Sequence, residues 1–288
     1  MTESTQQWTA RATAKVNLFL DITGRRPDGY HAIRTVMKSI ALADTVSLRL
    51  RTDGRFTVTC SDASLPTDDR NLAIRAGLAM RAAFGGAIPG ADFHIEKRIP
   101  TGAGLGGGSA DAAAALRLLR EASGLSAPDE ALEEVAARVG SDAPFFVRGG
   151  TALATGRGEI LQPIENRCHE GGIVLICPDA TVSTREAYRW WDEEGMPRAS
   201  GSCEAMMTAL RAGQWMDVIE NCANAFEQIV GRRVPAVHEA RMVLMASGCA
   251  KAVLTGSGAA VFGLTATRAE AEFIARRMKG RYSICAAV

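Results

Sequence analysis

Excess charge is the first thing this chain lacks. Its 33 lysines and arginines meet 32 aspartates and glutamates over 288 residues, a formal net charge of +1, so the balance gives no electrostatic pull toward nucleic acid or an anionic membrane. Long apolar runs are missing too: the longest strongly apolar stretch, Ile173 to Cys177, is far short of the ~20 residues a bilayer demands. The opening MTESTQQWTA has no basic-then-apolar signal pattern. Cysteine is sparse and scattered: the seven, at 60, 168, 177, 203, 222, 249 and 285, form no C-x-x-C and have no histidine at ligand spacing. That excludes a recognisable metal motif and fits a reducing cytoplasm. The expectation is a cytoplasmic protein acting on a small molecule, with no nucleic-acid or membrane partner, as a monomer or homodimer.

What the chain does have is a globular composition, 47% hydrophobic, and a length that suits two medium domains. Trp8 to Asp21 alternates, with Ala14, Val16, Leu18 and Leu20 on one face and Lys15, Asn17 and Phe19 on the other, which predicts a half-exposed strand carrying a polar pair. DTVSLRLRTDGRFTVTC reads as two strands joined in a hairpin at Asp53-Gly54. A helix is expected over NLAIRAGLAMRAAF, stopped by Gly85, and another over SADAAAALRLLREAS, with Ser109 as its N-cap and Asp111 in its first turn. A third follows at about Asp129 to Val139, and GSDAPFFVRGG then reads as a turn. Beyond the strand GGIVLICPD, Ser183-x-x-Glu186 offers a capping box for a helix through Tyr188 and Trp191. Strands and helices mix without regular βαβ alternation, which predicts an α+β fold.

The densest signal is RIPTGAGLGGGSADAAAAL, Arg98 to Leu116. Gly102, Gly104 and Gly107 satisfy the dinucleotide pattern G-x-G-x-x-G, but the following helix leads into another helix rather than a second parallel strand. A Walker loop needs a lysine after its last glycine, and Ser109 follows Gly108 instead. A hydrolase elbow needs a glycine where Asp111 stands. What remains is a run of small residues entering a helix N-terminus, where backbone N–H groups and about half a unit of positive dipole charge collect. Read alone, such a loop either binds an anion or is glycine-rich for close packing.

The stretch PTGAGLGGGSADAAAAL resembles the ATP-binding motif of the GHMP kinases, which hold ATP without a Walker lysine. Three further segments carry the resemblance: AKVNLFLDITGRRPDGYHAIRTVM, GSDAPFFVRGGTALATGRGEIL and LTGSGAAVFG. In that order they are similar to the branch of the family that acts on a cytidine-diphosphate-linked methylerythritol. The resemblance implies ATP-dependent phosphorylation of that compound's 2-hydroxyl in non-mevalonate isoprenoid biosynthesis, with Mg²⁺ carried by ATP and no protein-held metal. It also implies a two-domain α+β GHMP-kinase fold, with residues 1–160 as the ATP-binding domain, 161–288 as an α/β, ferredoxin-like domain, and the active site in the cleft between them.

By the same resemblance Lys15 and Asp142 match the catalytic pair. Pro100, Thr101, Gly102, Ala103, Gly104, Leu105, Gly106, Gly107, Gly108, Ser109 and Ala110 match the ATP loop, with Lys97 beside it approaching the adenine. Asn17, Tyr30, His31, Thr184 and Tyr188 match substrate-side positions, Tyr30 and His31 being the pair that holds cytosine. The chemistry agrees: an alcohol of pKa ~15 is a poor nucleophile, a carboxylate accepts its proton, and a lysine orients the groups and offsets charge. Taken singly, each residue has a plainer reading. Asp142 could cap a short helical turn, Lys15 could be a solvated strand residue, and Tyr30 with His31 could close the Pro-Asp-Gly turn. NAFE, Asn224 to Glu227, departs from the family's common Asn-Asp-Leu-Glu, and no site role passes to it.

Overall fold

The structure, a computed structural model, describes residues 6–282 and 284–287. The chain divides into two compact units, each assembled from separate stretches. The first takes Met1–Ala14, Ala41–Thr101 and Gly106–Gly149; the second takes Lys15–Ile40, Gly102–Leu105 and Gly150–Val288. Strands β1 (Trp8–Arg25) and β2 (His31–Arg51) are long enough to give residues to both.

In the first unit β3 (Phe56–Cys60), α1 (Leu72–Phe84), β4 (Gly90–Glu96), α2 (Gly107–Ala122), α3 (Asp129–Ala137) and α4 (Ala143–Arg148) follow in chain order. The Asp53-Gly54 turn does not make a hairpin. β4 lies antiparallel to β2, with Thr45 opposite Glu96, and β3 joins β4 in parallel, with Phe56 opposite Ala91. A later strand thus separates the two that the turn connects. Helix α1 begins where the Asn71 side chain accepts from the Ala73 N–H at 2.9 Å, and ends at Gly85 with φ 67°. Helix α2 is enclosed: Ala110 through Leu116 are all buried, which small side chains permit because neighbouring elements approach closely. Ser109 is not its N-cap. Left-handed Gly106 (φ 74°) occupies that position, so the helix starts earlier, Ser109 sits inside the first turn, and Asp111 falls in the second. GSDAPFFVRGG is not merely a turn, because Ala143–Arg148 forms the short helix α4, with Pro144 in its first turn.

The second unit continues with β5 (Thr151–Thr155), β6 (Ile160–Pro163), β7 (Gly172–Cys177), α5 (Thr184–Glu193), α6 (Cys203–Ala212), α7 (Trp215–Asn221), β8 (Ala223–Asn224), α8 (Glu227–Arg233) and α9 (Pro235–Ala246). It closes with β9 (Lys251–Leu254), β10 (Val261–Thr265), α10 (Arg268–Arg277) and β11 (Ile284–Ala287). One antiparallel sheet runs β11-β7-β10-β9, a β-α-β-β-α-β order with helices between its first two and last two strands. Its core includes Val174, Ile176, Trp191, Phe226, Leu244 and Val261. The first half of β2 pairs antiparallel with β5, Thr35 opposite Ala154, while β1 pairs in parallel with β8, Phe19 opposite Ala223. β1 is not half-exposed, since Ala14 to Ile22 are buried without a break, as in a strand covered on both faces. Ser183 precedes α5 but makes no side-chain capping bond; a capping box forms instead at Thr267 and Glu270 on α10.

Candidate active site

Within the second unit, the polar pair of β1 is the centre of a buried network. Lys15 and Asn17 are each only 3% exposed, so Lys15 is no solvated lysine. Its ammonium donates to Asn17 Oδ1 at 2.6 Å and to the Gly104 carbonyl at 2.7 Å, and its backbone N–H donates to Leu105 O at 3.1 Å. Strand β1 is thereby fastened to the middle of the glycine loop. The turn after β9 holds Asn17 from the other side: Gly256 N–H donates to its Oδ1 at 2.9 Å, the Thr255 hydroxyl donates to the same oxygen at 3.2 Å, and Asn17 N–H donates to Thr255 Oγ1 at 3.1 Å.

The same turn grips the loop directly. Ala260 N–H donates to Ala103 O at 3.1 Å, and Gly104, at φ 75°, lies so close that a Cβ would stand 2.3 Å from Thr255 O. Asn224 keeps the turn in shape by donating to Leu254 O at 2.7 Å and Gly256 O at 2.9 Å. Thr184 joins through its hydroxyl, 3.0 Å from Ser257 Oγ. The roles of Thr255, Gly256, Ser257 and Asn224 went unread in the sequence. LTGSGAAVFG was visible as a motif, but its partners are scattered along the chain, from Asn224, 30 residues away, to Asn17, 238 residues away.

His31 and Tyr188 also come together here. Their rings stack with centroids 4.5 Å apart and planes at 14°, Trp191 meets His31 edge-on at 5.5 Å, and Phe226 meets Tyr188 edge-on at 5.0 Å. His31 Nε2 is 2.9 Å from Asp192 Oδ1, and Arg25 holds the other Asp192 oxygen at 2.7 Å. Tyr30 stands outside that stack, 56% exposed, with the Arg157 guanidinium 5.0 Å from its ring centre. The expected Tyr30–His31 pair is therefore split between one packed and one open aromatic.

Within the first unit, α2 opens without a side-chain cap. Gly106 has no side chain to offer its first-turn N–H groups, so no capping oxygen of its own competes for them. Gly106 is left-handed (φ 74°), and in the second unit Gly102 and Gly104 of the same loop are left-handed as well (φ 70° and 75°). These features fit the phosphates of ATP. The turn before α4 lies against the same helix end: a Cβ on Gly140 would be 3.5 Å from Ser109 Oγ. Asp142 occupies the N-cap position of α4, yet its side chain makes no capping hydrogen bond. Lys97 turns its ammonium inward to Asp44 and Asp111, at 7% side-chain exposure. Burial pushes the Asp111 carboxyl up to about 7, against the pull of Lys97. Among the described residues no group of three or more His, Cys, Asp or Glu could hold a metal ion, and no helix is long and apolar enough to cross a membrane.

Residues 71–150 match the GHMP kinases N terminal domain and residues 206–284 the GHMP kinases C terminal domain, families of ATP-dependent phosphotransferases. The chain is 42% identical over 271 residues to a 4-diphosphocytidyl-2-C-methyl-D-erythritol kinase of Pelotomaculum thermopropionicum, covering 94% of this chain and 93% of that one. It is 37% identical over 286 residues to the kinase of the same name from Heliobacterium modesticaldum, at 94% and 90% coverage. A crystal structure of 4-(cytidine 5'-diphospho)-2C-methyl-D-erythritol kinase matches with a TM-score of 0.80 and 32% identity, covering 97% of this chain and 98% of that one. The chain belongs to the GHMP kinases, and within them to the 4-diphosphocytidyl-2-C-methyl-D-erythritol kinase family.

Proposed function

We propose that this chain transfers the γ-phosphoryl group of ATP to the 2-hydroxyl of 4-diphosphocytidyl-2-C-methyl-D-erythritol, in the cytoplasm, as a monomer or homodimer. The observation that carries the ATP half is the glycine loop: three left-handed glycines run into the uncapped start of α2, and its central carbonyl is held by buried Lys15. The substrate half is carried by PDGYH, which ends in one ring packed on Tyr188 and one open ring. The same proposal takes residues 1–160 as the ATP-binding domain and 161–288 as the ferredoxin-like domain, a division along the sequence that the two compact units do not follow.

In this reading the segment Pro100 to Ala110 cradles the phosphates, the donors being backbone N–H groups of its glycines and Ser109, while Lys97, turned inward to Asp44 and Asp111, supports the loop from beneath. Asp142 accepts the proton of the attacking hydroxyl, late in a loose transition state. Lys15 orients the reacting groups and offsets charge from a position already fixed by Asn17 and Gly104. Asn17 and Thr184 contact the substrate, while Tyr30, His31 and Tyr188 receive the cytosine. Mg²⁺ would be carried by ATP, with no residue of this chain assigned to hold it, and would supply charge neutralisation on the phosphates.

The test is a coupled ADP-release assay in which 4-diphosphocytidyl-2-C-methyl-D-erythritol, free methylerythritol phosphate, homoserine and mevalonate are offered side by side. Turnover of the first alone is expected. Turnover of one of the others in its place, or of none, overturns the reading.

A further inference from the structure

Three ionisable side chains are buried together at the flanks of the glycine loop. The Asp44 side chain is fully enclosed, Lys97 is 7% exposed and Asp111 is 5% exposed. Asp44 Oδ1 accepts two successive backbone N–H groups, from Arg98 at 2.5 Å and Ile99 at 2.8 Å, and its Oδ2 pairs with the Lys97 ammonium. That ammonium also donates to Asp111 Oδ2 at 2.8 Å. The lysine reaches this position by passing under the first residue of α2: a Cβ on Gly107 would stand 3.3 Å from its Nζ and 3.0 Å from Ile99 Cγ2. One enclosed carboxylate therefore fixes the chain just before Pro100, and through one ammonium it fixes the second turn of the helix just after Ala110.

Burying such a trio is a poor way to gain stability, because desolvating the charges offsets most of their attraction and a well-packed apolar trio serves as well. What charges supply that apolar groups cannot is direction. Both ends of a glycine-rich segment are tied to one point, so the first-turn N–H groups of α2 keep one aim. Asp111 Oδ1 is buried without a hydrogen-bond partner, a cost the cluster carries in holding this geometry.

We propose that Asp44 is a positioning residue for the phosphate loop, acting through Lys97 and Asp111 to aim the backbone N–H groups that receive the nucleotide phosphates. This rests on the assignment of the loop to ATP phosphates. It predicts a loss that follows the phosphates and is indifferent to the base.

The experiment compares binding of ATP and of inorganic tripolyphosphate, a probe without a base or sugar, by calorimetry to wild type, Asp44→Asn and Asp111→Ala, with steady-state kinetics alongside. In Asp44→Asn, affinity for both probes should fall by the same factor, ~10-fold or more, with KM for ATP rising while KM for the acceptor stays within twofold. A purely structural role would reduce the folded fraction, and hence kcat, with both KM values unchanged, and would overturn the proposal. A loss confined to ATP would place these residues at the base and overturn it as well. If Asp44→Asn does not fold, Asp111→Ala reads the other flank by the same criterion, and unchanged affinity for both probes there refutes the idea. Wild-type protein that binds neither probe removes the loop assignment itself, a failure distinct from the rest because neither measurement needs the acceptor.

Discussion

Replacing Gly104 by alanine tests the fit between the phosphate loop and the turn after β9. Two costs follow from the geometry. Alanine at φ 75° pays about 1–2 kcal/mol for a left-handed backbone. The added Cβ would also lie 2.3 Å from Thr255 O and 3.1 Å from both Gly258 N and O. These are backbone atoms that cannot rotate away. To reach ordinary contact at 3.4 Å the loop or the turn must retreat by 3.4 − 2.3, or about 1.1 Å. That displacement takes the Gly104 carbonyl, now 2.7 Å from Lys15 Nζ, toward the limit of a hydrogen bond, and misplacement by ~1 Å costs on the order of 10²-fold in rate. The expected result is a fall of ~10²-fold in kcat/KM for ATP and a melting temperature lower by roughly 5–10 °C. Gly124→Ala is the control: φ there is 64° and nothing lies within 4 Å of the new Cβ, so it reports backbone strain alone. Both proteins are to be followed by thermal unfolding and by ADP release at varied ATP. If Gly104→Ala melts with Gly124→Ala and keeps its kcat/KM, the close packing does not position the loop and the reasoning fails.

Asp142→Asn should lower kcat by ~10²-fold or more with little change in melting temperature, and full turnover in that variant would remove Asp142 as proton acceptor. Tyr30→Ala should raise KM for the cytidine substrate between about 5- and 150-fold, the worth of ~1–3 kcal/mol of base stacking, with KM for ATP little changed; equal effects on both would put the base elsewhere. Asp111→Asn should flatten the pH dependence of stability. The folded carboxyl titrates at about 7 against ~4 unfolded, so between these values the folded state holds more protons, and stability falls as pH rises, by up to about 1.4 kcal/mol per pH unit. Lys97, shifted upward, adds its own loss only at alkaline pH. Urea unfolding at pH 5, 6, 7 and 8 checks this, and an unaltered slope in the variant would refute it.

Much of the α+β pattern was legible because helix stops and strand alternation are local: Gly85 ends α1, and the β9–β10 pair flanks its glycine turn. What failed was what depends on distant partners. Asp53-Gly54 is a sound turn signal, but nothing nearby reveals that β4 takes the place beside β2. Ser109 looked like a cap because serine caps helices, whereas left-handed Gly106 lets the helix begin earlier. A six-residue helix such as α4 is too short for periodicity to register. In the site, Lys15 and Asn17 were visible as a polar pair on a strand, yet the Gly104 carbonyl that Lys15 grips is 89 residues away. Asp44 lies in ALADTV, a strand segment of no distinctive composition, and only the fold reveals what it holds.

The Asn17 amide also carries a polarity. Its oxygen receives Lys15 Nζ, the Thr255 hydroxyl and Gly256 N–H; its nitrogen donates to Thr35 Oγ1 at 2.8 Å, and that hydroxyl donates onward to Phe19 O at 2.6 Å. Every proton in the relay runs one way, from amide to hydroxyl to strand carbonyl. An aspartate of the same shape would face the Thr35 hydroxyl with a second acceptor and ask one proton to serve two oxygens. One buried oxygen would then go unserved, at about 1–3 kcal/mol. At this position a carboxamide and a carboxylate differ in the direction of a chain of bonds as well as in charge.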